Sequence, residues 1–325
     1  MEIGFVGLGR MGGNMSLRLL KKGHRVIGFD LSQTAVQSFA TKGTVPATDW
    51  QDFVRRFRGK PRIMWIMVPA GDPTTQAIDT LASLGDPGDI VVDGGNTNWK
   101  IALEDSKRVR AKGMHYVDAG VSGGIWGLEF GYSLMVGAED GVYDHILPIL
   151  KDLAPDGGGL VHTGSEGSGH FVKMVHNGVE YGLMQAYAEG FQVMKLSKSF
   201  PGMDMYAIAE AWREGSVVRS WLLDLIARGL AQDPELNDIR GWVEDTGEGR
   251  WTVETAIDES VPTPVIAESL FARFRSRMEN TFGDRMLAMM RAQFGGHAVV
   301  KDASTEQSQP TGVPAPQARG AAEQK

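Results

Sequence analysis

The chain has 325 residues, of which 42% are hydrophobic, so it is long enough for two globular domains. Its net charge of −7, with no basic tract, argues against nucleic acid or an anionic membrane surface as a partner. The absence of cysteine excludes disulfides, thiolate metal sites and a cysteine nucleophile.

The N-terminal residues run directly into a predicted strand, with no basic region or cleavage site of a signal peptide. No apolar run reaches the roughly 18 residues needed to span a membrane. The seven histidines have no spacing typical of metal ligands. We therefore expect a cytoplasmic protein without a metal.

A glycine-rich loop follows the first predicted strand, residues 3–6, and has the pattern G-x-G-x-x-G. Its first glycine permits a tight turn, its second lets the backbone approach a pyrophosphate, and its third allows close helix–strand packing. The predicted helix at residues 11–22 would direct free N–H groups and its dipole at the phosphates. The sequence therefore predicts a dinucleotide-binding loop, formed by Gly7, Leu8, Gly9, Arg10, Met11 and Gly12.

The second predicted strand, residues 25–30, ends on Asp30. A carboxylate at this position accepts hydrogen bonds from the adenosine ribose hydroxyls and repels a 2′-phosphate. No arginine follows it in residues 31–33, so the sequence favours NAD over NADP. NADP stays possible, because Arg10 can reach a phosphate from the other side of the loop.

Further buried-type strands are predicted at residues 62–68, 89–93, 115–118, 132–136 and 160–162. Strands alternating with helices predict a mostly parallel sheet, with ligands at the carboxyl ends of its strands. The loops at these ends supply candidate contacts, although glycine-rich loops also have ordinary turn chemistry. Val68, Pro69 and Ala70 are the candidate cofactor contacts, and the Gly-Gly-Asn loop that ends on Asn96 and the Ser-Gly-Gly loop of Ser122, Gly123 and Gly124 also lie at such ends.

Strand patterns stop at about residue 168, and helices are predicted at residues 168–198, 205–213, 219–230, 264–278 and 284–293. The predicted fold is an α/β Rossmann-type N-terminal domain with a parallel sheet, followed by an all-helical C-terminal domain. We place the first domain at residues 1–165 and the second at 166–300. Residues 301–325, rich in Gln, Pro, Ala and Gly, are predicted to be a disordered tail.

The long helix carries a polar face in largely apolar surroundings. At 100° per residue, Lys173, His176, Asn177, Glu180 and Tyr181 fall within an arc of roughly 140°. A lysine and a glutamate two turns apart, with a histidine and an amide between them, can converge on one small molecule. The alternative is a solvated stripe with weak i,i+3 and i,i+4 pairs.

Basic residues recur in the helical half at Arg250, Arg273, Arg291 and His297. Taken singly, each is compatible with a solvated surface charge. Taken together with Lys173, they indicate a binding site for a substrate that carries a phosphate and a carboxylate.

These motifs together resemble the decarboxylating 6-phosphogluconate dehydrogenases in their short-chain form. The resemblance runs from residue 1 to about residue 300 and is most specific at residues 169–182. Supporting segments lie at residues 92–96, 120–124, 249–252, 271–273 and 291–297.

The resemblance implies oxidative decarboxylation of 6-phosphogluconate to ribulose 5-phosphate and CO2. Lys173 corresponds to the family's general base for the C3 hydroxyl, and Glu180 to the acid that protonates C1 of the enediol. A lysine acts as a base only when neutral, so burial and nearby cationic groups are expected to depress its pKa.

The resemblance also assigns the substrate contacts and an oligomeric state. Asn96 corresponds to a residue that contacts both cofactor and substrate. Arg291 and His297 correspond to a pair donated by the neighbouring subunit, which implies a homo-oligomer, either a dimer or a tetramer. The residues implied to hold the carboxylate and upper hydroxyls are Ser122, Gly123, Gly124, His176 and Asn177, and those for the 6-phosphate are Tyr181, Arg250, Thr252 and Arg273.

The chain departs from the family pattern in three ways. Arginine stands at position 250 where the family usually has lysine, and it keeps the charge while adding a planar fork. The duplicated helical region of the longer enzymes is missing, so their oligomeric arrangement does not carry over. Asp30, Leu31 and Ser32 replace the Asn-Arg-Thr of many NADP-dependent members.

Two alternatives use the same residues differently. A β-hydroxyacid dehydrogenase of the 3-hydroxyisobutyrate or tartronate semialdehyde type would share the lysine and asparagine, but would not need four basic residues or Glu180. A catalytically silent NAD-sensing or scaffolding protein would be expected to have lost Lys173 or Glu180, and both are present.

Overall fold

The computed structural model of the protein describes residues 1–296 and 298–300. The chain forms two compact units, Met1–Phe274 and a C-terminal unit that begins at Arg275. The sheet and both cavities described below belong to the first unit. The predicted tail at residues 301–325 and the predicted substrate residue His297 lie outside the described residues.

One eight-stranded sheet contains every predicted strand. Its order is β3-β2-β1-β4-β5-β6-β7-β8, and neighbouring strands are parallel except for the antiparallel pair β6 and β7. The predicted Rossmann-type sheet is therefore confirmed. The strands are β1 Glu2–Val6, β2 Arg25–Phe29, β3 Val45–Pro46, β4 Ile63–Ile66, β5 Ile90–Asp93, β6 His115–Ser122, β7 Ser133–Gly137 and β8 Leu160–Gly164.

Most predicted helices agree with the observed ones within about three residues, the usual uncertainty at helix ends. Helix α11 lies where no helix is predicted, and a 3-10 turn occupies Gly124–Trp126. The helices are α1 Arg10–Lys21, α2 Gln33–Ala40, α3 Trp50–Arg55, α4 Asp72–Leu84, α5 Trp99–Arg110, α6 Gly127–Phe130, α7 Asp140–Leu153, α8 Ser168–Lys195, α9 Met205–Arg213, α10 Trp221–Gln232, α11 Glu248–Asp258, α12 Pro264–Ser276 and α13 Phe282–Gly295.

The sheet is buried on both faces, as continuous apolar strands require. In β4, Ile63 and Trp65 belong to the core on one face, whereas Met64 and Ile66 belong to the core on the other. Side chains alternate across a strand, so a run without polar residues fills both layers. A smaller third core joins α9 and α10 around Leu223.

Strand β6 is longer than predicted and reaches Ser122. Residues 119–122, expected in a loop, instead pair with β7, from Asp118 opposite Gly137 to Ser122 opposite Ser133. The sequence Ala-Gly-Val-Ser lacks a strong strand signal, and the neighbouring strand decides its conformation.

Helix α8 is attached to the end of the sheet through its first turn. Both carboxylate oxygens of Asp118 accept hydrogen bonds there, from Gly167 N at 2.6 Å and from His170 N at 2.7 Å. The helix also approaches β6 closely, because a Cβ added at Gly120 would lie 2.4 Å from Lys173 Cβ. Asp118 and Gly120 thus fix the height of Lys173 above the sheet.

Within the described part of the chain, no helix is both long enough and apolar enough to cross a membrane.

Candidate active site

The glycine loop after β1 has the geometry that a bound dinucleotide needs. Gly7 has a φ of +96°, and a Cβ there would lie 2.4 Å from Met67 O. A Cβ at Gly12 would lie 2.1 Å from Gly7 O, so helix and strand approach closely. A Cβ at Gly9, in contrast, would meet nothing within 4 Å, which leaves open space for a pyrophosphate.

Asp30 follows β2 and ties the glycine loop to the strand. Its Oδ2 accepts a hydrogen bond from Leu8 N at 2.8 Å, and its Oδ1 accepts one from Ser32 N at 2.8 Å. A carboxylate has about four acceptor positions, so capacity is left for ribose hydroxyls. Leu31 beside it is 85% exposed, and Arg10 is exposed in the first turn of α1.

A cavity of about 360 Å³ brings the predicted cofactor loops together with the predicted base. Four predicted cofactor contacts and Asn96 meet Lys173 there, although they come from separate loops and from α8. The other residues of the predicted glycine loop, Gly7 to Arg10 and Gly12, do not line this cavity. Its lining is Met11, Met67, Val68, Pro69, Ala70, Gly94, Gly95, Asn96, Val121, Lys173 and Glu248.

Lys173 is held among polar groups that shift its acid–base behaviour. Burial lowers the pKa of Lys173 below its ordinary value of 10.5, while the carboxylates of Glu180 and Glu248 oppose the shift. Its Nζ donates a short hydrogen bond to Asn177 Oδ1, which also lies 3.0 Å from His176 Nδ1. The amine is therefore oriented, and its neutral form is more accessible than that of a surface lysine.

Glu180, the predicted acid, lies two turns after Lys173 in α8. Seven residues bring a helix back to nearly the same side, about 20° from the starting direction. Because Glu180 raises the pKa of Lys173, its carboxylate acts electrostatically on the amine. The polar face expected from the sequence is thus formed by a half-buried stretch of α8 rather than by a fully solvated stripe.

Glu248 is a site residue that the sequence analysis misses. Its side chain is 4% exposed, and its Oε1 accepts hydrogen bonds from Asn96 Nδ2 and from Asn177 Nδ2, each at 2.7 Å. Its Oε2 accepts a hydrogen bond from Thr246 Oγ1. An acid between two glycines resembles an exposed turn, and only the closeness of Glu248 to the Arg250 motif could have drawn attention to it.

A second and larger cleft, of about 1120 Å³, adjoins the first through residues of α8. It is lined by the predicted carboxylate contacts Ser122, Gly123 and His176, together with side chains of α9 and α10. His176 and Asn177 connect it to the Lys173 cavity through their mutual hydrogen bond. Gly124 is exposed at the start of the 3-10 turn and does not line either cavity.

The predicted phosphate contacts gather around Tyr181. The guanidinium of Arg273 lies 3.5 Å from the Tyr181 ring centroid and donates to Glu244 O at 2.8 Å. Arg250 donates to both carboxylate oxygens of Asp245, at 2.6 and 3.1 Å. Arg250 and Arg273 thus have partners within the chain, which a phosphate would replace or supplement.

Thr252, also predicted at the phosphate, is buried, with its Oγ1 2.9 Å from Met174 O and 2.8 Å from Glu248 O. Its hydroxyl hydrogen therefore bonds α8 and α11, and only its acceptor lone pairs are left for other contacts. Arg291 is exposed on α13 in the C-terminal unit.

A buried pair of titratable side chains, Asp93 and His170, links the Asn96 loop to α8. Asp93 Oδ1 accepts a hydrogen bond from Gly95 N at 2.9 Å, and Oδ2 lies 3.2 Å from His170 Nε2 without forming a directed hydrogen bond. Burial alone would lower the pKa of His170, but the Asp93 carboxylate raises it above its ordinary value. Burial likewise opposes ionisation of Asp93, and the histidine keeps the pKa of Asp93 below its ordinary value. Each side chain therefore favours the charged form of the other.

No cluster of three or more histidine or acidic side chains that could hold a metal ion occurs in residues 1–296 and 298–300.

A glycine-loop Rossmann sheet whose cofactor cavity contains a half-buried, oriented lysine defines the class: a nicotinamide-dependent dehydrogenase. Two sequence families match: the NAD binding domain of 6-phosphogluconate dehydrogenase over residues 2–164, and the C-terminal domain of 6-phosphogluconate dehydrogenase over residues 169–309. The chain belongs to the 6-phosphogluconate dehydrogenase family.

Individual relatives agree with this assignment. The chain is 43% identical over 304 residues to the NAD(+)-dependent, decarboxylating 6-phosphogluconate dehydrogenase of Haloferax volcanii, covering 93% of this chain and 99% of that protein. The solved 6-phosphogluconate dehydrogenase of Plasmodium falciparum is similar with a TM-score of 0.79 and 26% identity, over 93% of this chain and 67% of that one.

A 3-hydroxyisobutyrate dehydrogenase of Mycobacterium tuberculosis is also similar, with a TM-score of 0.67 and 22% identity over 90% of this chain and 99% of that one. At this identity the likeness shows a shared fold alone.

Proposed function

We propose that this protein oxidises 6-phosphogluconate at C3 with NAD and releases the carboxyl group as CO2, leaving ribulose 5-phosphate. The observation that carries the proposal is Lys173, a half-buried amine with a lowered pKa in the same cavity as the cofactor loops. Named relatives support the substrate, since the Plasmodium enzyme was solved with 6-phosphogluconate and with NADP+.

The chain's own residues supply the proton transfers. Neutral Lys173 takes the proton of the C3 hydroxyl, and NAD, when bound, supplies the hydride acceptor. The resulting ammonium of Lys173 donates a hydrogen bond to the C3 carbonyl oxygen, which draws electrons toward oxygen as CO2 leaves. Loss of CO2 leaves an enediolate, and Glu180 then gives a proton to its C1, which forms the ketone of ribulose 5-phosphate.

We propose NAD as the preferred cofactor, with the open backbone at Gly9 and the first turn of α1 holding the pyrophosphate. Asp30 would accept hydrogen bonds from the ribose hydroxyls and repel a 2′-phosphate. The Haloferax relative is named NAD(+)-dependent.

We also propose that the protein works as a homo-oligomer. Large apolar side chains are exposed on α8, α11 and α12, among them Val193 at 72%, Ile257 at 72% and Val265 at 67%. A second copy of the chain is the partner that would bury them. Arg291 would then reach the substrate of the neighbouring copy, as the family resemblance implies.

The assay follows reduced nicotinamide absorbance and CO2 release with NAD or NADP. We expect equimolar NADH and CO2 from 6-phosphogluconate, and a higher kcat/KM with NAD than with NADP. Oxidation of 3-hydroxyisobutyrate but not of 6-phosphogluconate would contradict the proposal.

Mixing inactive Lys173→Met and Arg291→Ala chains tests the oligomer. If sites are shared between copies, the mixture regains part of the activity, because some mixed sites contain neither substitution. No recovery from chains shown to exchange partners would contradict the shared site.

A further inference from the structure

We propose that Glu248 is a positioning residue that fixes the orientation of the Asn96 and Asn177 amides around Lys173. This inference rests on the proposed function, since it concerns the same cavity. It adds a buried carboxylate to a group of residues that otherwise consists of an amine, amides, an imidazole and the carboxylate of Glu180.

The hydrogen bonds around Glu248 have only one chemically sensible arrangement. An ionised carboxylate accepts hydrogen bonds but cannot donate them, so both asparagines must turn their NH2 groups toward it. Asn177 Oδ1 is thereby directed at Lys173 Nζ and His176 Nδ1. For Asn96, the same constraint directs Oδ1 away from Glu248, so that it can accept a hydrogen bond from a ligand.

The residues next to Glu248 in the sequence favour a buried position for its side chain. Glu248 is the first residue of α11, and Gly247 before it has a φ of +104°, a conformation that favours glycine. A Cβ at Gly249 would lie 2.5 Å from the Tyr181 ring, so a side chain there would push the helix away. The N-terminus of α11 also favours a negative charge at this position.

Glu248 also acts on the charge of Lys173. The charged and titratable groups that face Lys173 are Glu180 and His176 from α8 and Glu248 from α11, whereas β6 contributes Gly120, which has no side chain. Burial favours the neutral amine, and Glu248 favours the cation. The carboxylate therefore keeps Lys173 able to take up a proton and hold it while CO2 leaves.

Two substitutions separate orientation from charge. In Glu248→Gln, the amide oxygen can still accept from both asparagines and its NH2 can face the Thr246 hydroxyl, so orientation survives while the charge is lost. In Glu248→Ala, the charge and the orienting hydrogen bonds are both lost, and the NH2 groups of Asn96 and Asn177 lose this partner. Glu254→Gln, on the exposed side of the same helix, is the matched control.

We expect Glu248→Ala to lower kcat by roughly 10²-fold, the effect of a small misplacement in an active site. Glu248→Gln should keep KM for 6-phosphogluconate within about threefold of wild type, while the rise of kcat/KM with pH moves to lower pH. Glu254→Gln should change neither quantity. A wild-type kcat and pH profile in Glu248→Ala would overturn the inference, even if its Tm falls.

A measurement without substrate distinguishes this inference from the proposed function. The rate at which acetic anhydride acetylates Lys173, followed by peptide mass spectrometry across pH, reports the neutral fraction of the amine. Glu248→Gln should shift this titration to lower pH, whatever the enzyme's substrate is. If the titration shifts but wild type does not oxidise 6-phosphogluconate, the proposed function is wrong and the action of the Glu248 charge on Lys173 stands. If wild type is active and the titration does not shift, that action of the Glu248 charge is wrong, and the kcat of Glu248→Ala decides the orienting role.

Discussion

The Lys173 end and the arginine end of the candidate substrate site are built differently. Around Lys173, the polar side chains are bonded to one another inside a cavity and converge on Glu248. At the other end, Arg250 is bonded to Asp245 and is 47% exposed, and Arg273 is bonded to a backbone carbonyl.

This difference predicts two kinds of mutational effect. The polar side chains at the Lys173 end are held in place by hydrogen bonds to one another, so substitutions there should lower kcat. The arginine end must exchange or extend its internal contacts to hold a phosphate, so changes there should weaken binding. A substitution at the Lys173 end that weakens only binding, or one at the arginine end that lowers only the rate, would contradict this difference.

The largest effect is expected for Lys173→Met, which removes the amine but retains a side chain of similar length. We expect kcat to fall by about 10³-fold or more, since general acid–base groups contribute roughly 10²–10⁴-fold. NAD binding, measured by fluorescence, should be unchanged. Turnover within tenfold of wild type would mean that another group is the base.

A smaller effect, confined to substrate binding, is expected for Arg273→Ala. Loss of one charge-assisted contact to phosphate should raise KM for 6-phosphogluconate by roughly 10–100-fold. KM for NAD and kcat/KM for gluconate, which lacks the phosphate, should change little. Arg55→Ala, an exposed arginine of α3, is the control. Equal losses with both sugar acids would argue against the phosphate contact.

Cofactor choice provides a third test, at a site distant in sequence from both ends. Asp30→Asn combined with Leu31→Arg keeps an acceptor for Leu8 N but replaces the repulsive carboxylate by an amide beside a cation. We expect the NADP/NAD ratio of kcat/KM to rise roughly tenfold, the effect of one charged contact. An unchanged ratio would place cofactor selectivity elsewhere.

The smallest effect concerns stability and a buried acid outside the proposed reaction. Burial raises the pKa of Asp105 from 3.8 to about 6, so the folded protein holds this proton more tightly than the unfolded chain. Ionisation of Asp105 therefore lowers the free energy of unfolding, by an amount that grows from pH 3.8 to about pH 6 and is constant above it.

Asp105→Asn should raise Tm by a few °C at pH 8, and by much less near pH 4. Its kcat at pH 8 should equal that of wild type, unlike that of any variant at the Lys173 end. An equal rise in Tm at both pH values would mean that ionisation of Asp105 is not the cause.

The parts of the fold that sequence predicts well depend on short-range patterns. The glycine loop, the strand at Ile63–Ile66 and the polar face of α8 are each visible within one segment of the chain. Strand direction is not encoded in this way, so the reversal at β7 could not be predicted from its apolar run. The two-residue strand β3 is too short to give a pattern.

Glu248 could not be predicted from the sequence, for a different physical reason. Its partners Asn96 and Asn177 lie 152 and 71 residues away in sequence, so only tertiary structure brings them together. Two flanking glycines, which disfavour helix, also conceal the start of α11. The sequence therefore predicts the amine and the amides as site residues, but not the acid that we propose orients them.

Chemical rescue of Lys173→Ala tests the central claim, that the Lys173 amine is the base, most directly. Small primary amines are added to this variant with NAD and 6-phosphogluconate, and NADH formation is followed across pH. We predict that the rate rises with the concentration of neutral amine and recovers part of the wild-type rate. If the variant binds both ligands normally but no amine restores the rate, Lys173 is not the base.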